Sequence, residues 1–85
     1  MMHKLKTHPD PFDALVSGHK RHEIRKHDRP FAEGDRLLLQ EWCPVDEDYT
    51  GREALVEVTY KSEPGSWGLP DNLCVMSISY IEGKL

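Results

Sequence analysis

Three ionisable side chains follow one glycine at short, fixed distances: Lys20, Glu23 and Arg25 come two, five and seven residues after Gly18. Lysine supplies a compact positive charge and arginine a planar, forked donor, and both bind phosphates and carboxylates. Glu23 can orient Arg25 or accept a hydrogen bond from a base. The segment is therefore a candidate anion-binding site. The alternative is an ion pair on a solvated strand face, which adds little to stability.

A short helix precedes this segment. Asp10 can cap its free amides, Pro11 suits the first helical position, and Gly18 can take the left-handed conformation that ends it. Phe12, Leu15 and Val16 share one face of the predicted helix, which we expect to pack on the core.

The segment itself is predicted to be a strand over residues 20–26, with Ile24 as its apolar anchor. Alternation puts Glu23 and Arg25 on the face opposite Ile24. Lys20 falls on the Ile24 face by count. It joins the same site only if the turn after Gly18 reorients it.

Period-two patterns predict four more strands, and two polar stretches rich in turn residues predict long loops. The strands are His3–Thr7, Arg36–Trp42, Arg52–Lys61 (Ala54, Val56, Val58 and Tyr60 on one face) and Leu73–Ile81 (Cys74, Met76, Ile78 and Tyr80 on one face); the loops are Pro44–Gly51 and Ser62–Asn72. Five strands and one early helix predict an α+β, mostly β fold: a curled mixed sheet or a small open barrel. At 85 residues the chain fits a single domain, residues 1–85.

Charge is unevenly distributed along the chain. The net charge is −4, but residues 1–36 sum to +2 and residues 37–85 to −6. A local basic patch can bind a few phosphates whatever the total charge. A short or single-stranded ligand is therefore favoured over an extended duplex.

The cysteines and histidines point to no cofactor or metal. Cys43 and Cys74 lie in apolar surroundings with no secretory segment before them, so we expect reduced thiols in a cytoplasmic protein. His19, His22 and His27 lack the close spacing of a zinc site and are predicted to be exposed. No stretch is apolar for long enough to span a membrane.

Three aromatic residues are candidates for stacking against bases. We expect Trp42 to lie in the core, whereas Tyr49 and Trp67, in predicted loops, either line a cleft or pack inward.

A series of motifs runs along nearly the whole chain: Leu5-Lys6, Phe12, Gly18-x-Lys20-x-x-Glu23-Ile24-Arg25, Asp28-Arg29, Phe31, Gly34-Asp35, Glu41-Trp42, Tyr49-Thr50-Gly51-Arg52 and the final strand. Together these motifs resemble a phage and bacterial family of unknown function in the ASCH group of the PUA-like superfamily. The resemblance implies a small PUA-like β-barrel with a cleft beside the early helix, and a role in binding RNA or modified nucleotides.

A few ASCH members are amidohydrolases acting on acetylated cytidine, and their motif has lysine at the place of Lys20 but a nucleophilic threonine at the place of Glu23. The chain departs from that motif, so hydrolysis would need another nucleophile, such as an activated water.

The leading hypothesis is a non-enzymatic module that binds single-stranded RNA or a nucleotide. The alternatives are a small hydrolase of modified nucleosides that uses Lys20, and a phage protein that docks on a host protein through its acidic second half. For the leading hypothesis Lys20 and Arg25 hold the ligand, Glu23 fixes Arg25, and Lys6, Arg29 and Arg52 line the rim, with Tyr49 and Trp67 as further ligand contacts.

Overall fold

The computed structural model describes all residues, 1–85. It contains five strands, one α-helix and one short 3-10 turn, so the predicted number of strands and the early helix are confirmed. In chain order they are β1 (Met2–Thr7), α1 (Pro9–Val16), β2 (His22–Lys26), β3 (Arg36–Cys43), β4 (Asp48–Ser62), the 3-10 turn (Ser66–Gly68) and β5 (Leu73–Lys84).

The five strands form one mixed sheet in the order β1-β3-β4-β5-β2. β1 runs parallel to β3, and every other pair is antiparallel. The sheet curls into a half-barrel, which brings its two edge strands, β1 and β2, towards each other. We call the gap between Lys4–Thr7 of β1 and Glu23–Lys26 of β2 the seam.

The core fills the concave side of the sheet and is covered by α1. Phe12 and Leu15 of the helix are buried and Val16 is partly buried against them, as the helical spacing predicts. The remaining core residues are Leu5, Phe31, Leu37, Leu39, Ala54, Val56, Val58, Cys74, Met76 and Ile78. Burial raises the pKa of the Cys74 thiol, and both cysteines are free.

The helix begins earlier than predicted. Pro9 is its first residue, His8 precedes it without a side-chain cap, and Asp10 lies inside the first turn. The prediction that Asp10 caps the helix is therefore wrong, although its charge still opposes the helix dipole favourably. Gly18 does adopt the left-handed conformation, with φ +86°, just beyond the helix.

Two predictions about β4 are wrong. The strand β4 begins at Asp48, so only residues 44–47 of the predicted loop form the turn of a hairpin. Tyr60 does not share the face of Ala54, Val56 and Val58, because the β4–β5 register shifts between Val58 and Tyr60. Such bulges change which face a side chain occupies. Tyr80 keeps the face of Ile78, as predicted, and is 46% exposed.

No helix of the structure has both the length and the apolar character that a membrane crossing requires.

A buried carboxylate ties the start of β3 to β1. Asp35 accepts hydrogen bonds from the ring of His3 at 2.8 Å and from the Ala32 amide at 3.1 Å, and the His3 ring also packs against Phe31. The hydrogen bond from His3 is the main cause that holds the pKa of Asp35 below its usual value of 3.8.

Because the pKa of Asp35 is lower in the folded chain, its ionised form stabilises the fold above the ordinary pKa, and this stabilisation is lost as the pH falls through the folded value. We expect Asp35→Asn to lower the free energy of unfolding at pH 7 by about 1–3 kcal/mol. The difference between wild type and variant should shrink below about pH 4. Urea unfolding across a pH series measures this; a constant difference down to the lowest pH would contradict it.

Candidate functional site

The charged face of β2 points into the half-barrel. Glu23 is 3% exposed, whereas Ile24 is 54% exposed and faces solvent. The prediction that Ile24 anchors the strand in the core is therefore wrong. Alternation still holds, but its inward positions carry Glu23 and Arg25, which find partners there.

Lys20, Glu23 and Arg25 form one cluster. Arg25 donates to Glu23 Oε1 through Nη2 at 2.8 Å and Nε at 3.1 Å, and Lys20 Nζ donates to the other carboxylate oxygen. Lys20 reaches Glu23 because the turn at Gly18 redirects the chain, and the Lys20 amide is held by the Ala14 carbonyl at 3.0 Å. The carboxylate is buried, so the cluster is not an ion pair on a solvated face.

Arg25 also joins the two edges of the sheet. Its Nη1 donates to the Lys6 carbonyl and its Nη2 to Thr7 Oγ1, each at 3.1 Å. A single guanidinium therefore spans the seam from β2 to β1. Beside it opens a cleft of about 340 Å³, which is lined by Lys6, Thr7, His8, Pro11, Lys20, His22, Glu23, Ile24 and Arg25.

A larger cleft of about 540 Å³ continues along the seam and shares Lys6, Ile24 and Arg25 with the first. Its other lining residues are Lys4, Leu5, Lys26, Asp28, Arg29, Phe31 and Tyr49. We call these two clefts together the seam groove.

Positive charge dominates the larger cleft. Lys4, Lys6 and Lys26 form no ion pair, and Arg29 has only a loose one, 3.8 Å from the exposed Asp28. No carboxylate of the protein therefore pairs with these three lysines, and the pair at Arg29 is weak.

An aromatic pair borders the groove. Trp42 and Tyr49 pack edge to face with ring centroids 5.1 Å apart, and the ammonium of Lys6 lies 3.7 Å from the Trp42 ring centroid. The prediction that Trp42 belongs to the core is wrong: its side chain is only half-buried. Tyr49, predicted in a loop, stands on β4 and lines the groove.

Two predicted ligand contacts lie away from the groove. Arg52 donates to the buried Glu41 at 3.4 Å and to Asp13 of the helix at 3.2 Å, and its guanidinium stacks over Phe12. Trp67 is 88% exposed in the 3-10 turn and lines neither cleft.

Sequence reasoning missed three groove residues. Lys4 and Lys26 line the larger cleft, and Thr7 accepts a hydrogen bond from Arg25. The alternation of Lys4 and Lys6 about Leu5 was a usable signal for an outward basic strand. No short sequence pattern indicates that this strand lies opposite Lys26, because the curl of the whole sheet brings β1 and β2 together.

No group of three or more His, Cys, Asp or Glu side chains is arranged to hold a metal ion. His19, His22 and His27 are exposed, as predicted.

The fold and the groove define a class: a small half-barrel domain of β-strands with one short helix and a basic seam. Residues 2–78 match the family described as a domain of unknown function, DUF3850, and the chain belongs to this family. It is also 38% identical over 66 residues to a protein of Escherichia phage P2 described as an uncharacterized 12.9 kDa protein in the GpA 3' region. That match covers 78% of this chain and 59% of the phage protein.

Glu23 forms ion pairs with two cations at once, so its loss leaves Lys20 and Arg25 as neighbouring like charges with no carboxylate between them. We expect Glu23→Gln to lower the free energy of unfolding by about 1–3 kcal/mol. Glu57→Gln, which removes a half-buried carboxylate that forms no ion pair, is the control and should change it by less than about 0.5 kcal/mol. Urea denaturation measures both, and equal effects of the two variants would refute the central role of Glu23.

Proposed function

We propose that the chain is a nucleic-acid-binding module that takes a single-stranded RNA segment, or a nucleotide, in the seam groove. The observation that carries the proposal is the larger cleft, where Lys4, Lys6 and Lys26 have no carboxylate partner and Arg29 lies beside them. Phosphate oxygens are the natural partners of such a group of cations.

The negative net charge of the chain does not oppose this function. The field that an approaching phosphate meets is the field of the groove, where basic side chains outnumber the single carboxylate, Asp28, of the larger cleft. The acidic excess belongs to residues 37–85, and a phosphate strand would be repelled from those surfaces. The charge pattern therefore favours one binding face.

The residues of the glycine motif have distinct parts in this proposal. Glu23 holds Arg25 in a fixed orientation, and Arg25 in turn shapes the groove by spanning the seam. Lys20 lines the smaller cleft, where its ammonium adds to the positive field. This gathering of the motif around one cleft supports a PUA-like fold of the ASCH group as the finer description of the half-barrel.

Binding is better supported than hydrolysis of modified nucleosides. A hydrolase of the ASCH type would use Lys20 to activate a nucleophile. The Lys20 ammonium instead donates to Glu23 and to the His22 carbonyl. Thr7, the hydroxyl residue of the smaller cleft, accepts from Arg25.

Removing two groove cations tests the proposal. We expect Lys4→Ala/Lys26→Ala to weaken binding of a fluorescent oligouridylate about tenfold or more, and to reduce the slope of log K against log salt by about 0.7 for each phosphate that the variant no longer neutralises. Fluorescence anisotropy over a salt series measures both quantities.

The matched control is Arg36→Ala/Lys84→Ala, which removes two positive charges that line neither cleft. It should retain the wild-type affinity and slope. Equal losses in both double variants, or none in either, would count against the groove as the binding site.

A further inference from the structure

Tyr49 presents a half-free aromatic ring to the cationic part of the seam groove. It is 49% exposed, lines the same cleft as Lys4, Lys26 and Arg29, and its hydroxyl makes no hydrogen bond within the protein. A ligand that covers this ring gains the free energy of removing its apolar surface from water. Its place beside the lysines makes it a candidate surface for a ligand that carries both a ring and phosphates.

Trp42 supports Tyr49 from the side. The two rings cross at 79°, so neither covers the other face to face, and the Lys6 ammonium lies against the Trp42 ring. Edge-to-face packing of this kind holds a ring in place and leaves area for a further stacking partner. Tyr49 is thus a pre-positioned platform rather than a freely rotating surface side chain.

The groove is longer than one phosphate group requires. A third cleft, of about 310 Å³, shares Lys20 with the smaller cleft of the groove and adds Arg21 to its lining. Basic side chains therefore line each of three clefts that are linked by shared residues, with Arg29 in the first and Arg21 in the last, and we call this set of side chains the basic track. A mononucleotide can engage only a part of this track.

We propose that the ligand is a single-stranded oligonucleotide, with one unpaired base stacked on Tyr49 and its phosphates along the basic track. This inference rests on the proposed function and selects between its two ligands, the strand and the nucleotide. Stacking on an aromatic ring tolerates any base, because every base has a flat face. In a duplex the bases are paired and stacked on one another, so no base is free to stack on Tyr49.

A ring-specific set of variants tests the inference. The probes are labelled oligouridylates from the mononucleotide upward, an oligothymidylate and a duplex RNA. We expect the affinity of the wild type to rise with length, and Tyr49→Ala to weaken single-strand binding about 5- to 150-fold, the loss expected for one stacked base. RNA and DNA strands should lose affinity alike, and duplex binding should not change.

Matched variants separate stacking from folding. Tyr49→Phe keeps the ring and should bind like the wild type, whereas Tyr49→Leu keeps apolar packing on Trp42 without a π face and should bind like Tyr49→Ala. Tyr60→Ala removes a tyrosine of similar exposure, 57%, that lines neither groove cleft, and should have no effect. In a Trp67→Phe background the remaining tryptophan, Trp42, should change its emission when the strand binds.

The results can separate base stacking on Tyr49 from nucleic-acid binding in the seam groove. Wild-type affinity in Tyr49→Ala and Tyr49→Leu, with weaker binding in Lys4→Ala/Lys26→Ala, overturns the stacking site and leaves the nucleic-acid groove. Equal affinity for the mononucleotide and the longer strands overturns the choice of an oligonucleotide. Unchanged binding in the lysine variant overturns the proposed function itself.

Discussion

The carboxylate of Glu23 is the interaction on which the rest of the site depends. It is buried between a lysine that the Gly18 turn delivers and an arginine of its own strand. A buried carboxylate is costly unless charged partners satisfy it, and here two of them do. Arg25, once oriented by Glu23, has donors left for the carbonyl of Lys6 and the hydroxyl of Thr7 on the opposite edge. One acidic side chain thus orients the arginine that links the two edges of the sheet.

The groove contains two kinds of cation: those paired with a carboxylate and those without such a partner. Around Glu23 the positive charges of Lys20 and Arg25 are paired with a carboxylate, while those of Lys4, Lys6 and Lys26 are not. The first group gives the seam its shape and the second gives it its electrostatic potential. A binding surface needs both, because a scaffold that is already ordered has less conformational entropy to lose when a ligand binds. The exposed lysines still lose side-chain entropy on contact, but the strands that carry them do not need to be ordered.

Local sequence patterns predicted the helix and the strands, but they did not predict which face of the sheet every side chain occupies. The strands, the early helix, the left-handed Gly18 and the inward Phe12 and Leu15 all follow from periodicity and turn chemistry. The position of Ile24 did not follow from such patterns. Its hydrophobicity favours the core, but Glu23 and Arg25 occupy the inward positions of the strand and leave Ile24 exposed. The face of Tyr60 depends on a bulge, which comes from pairing with another strand. Lys4 and Lys26 line the same cleft because the sheet curls, and no short stretch of sequence predicts that curl.

The seam is the weakest connection in the sheet, because only a side chain joins its two strands. Along every other pair of neighbouring strands a backbone ladder resists separation, but between β1 and β2 the link is one guanidinium. Parting these two strands therefore leaves each ladder intact. Widening this gap breaks the two hydrogen bonds from Arg25 to Lys6 and Thr7, a lower cost than breaking a ladder. The half-barrel is therefore held more strongly along its ladders than at the seam.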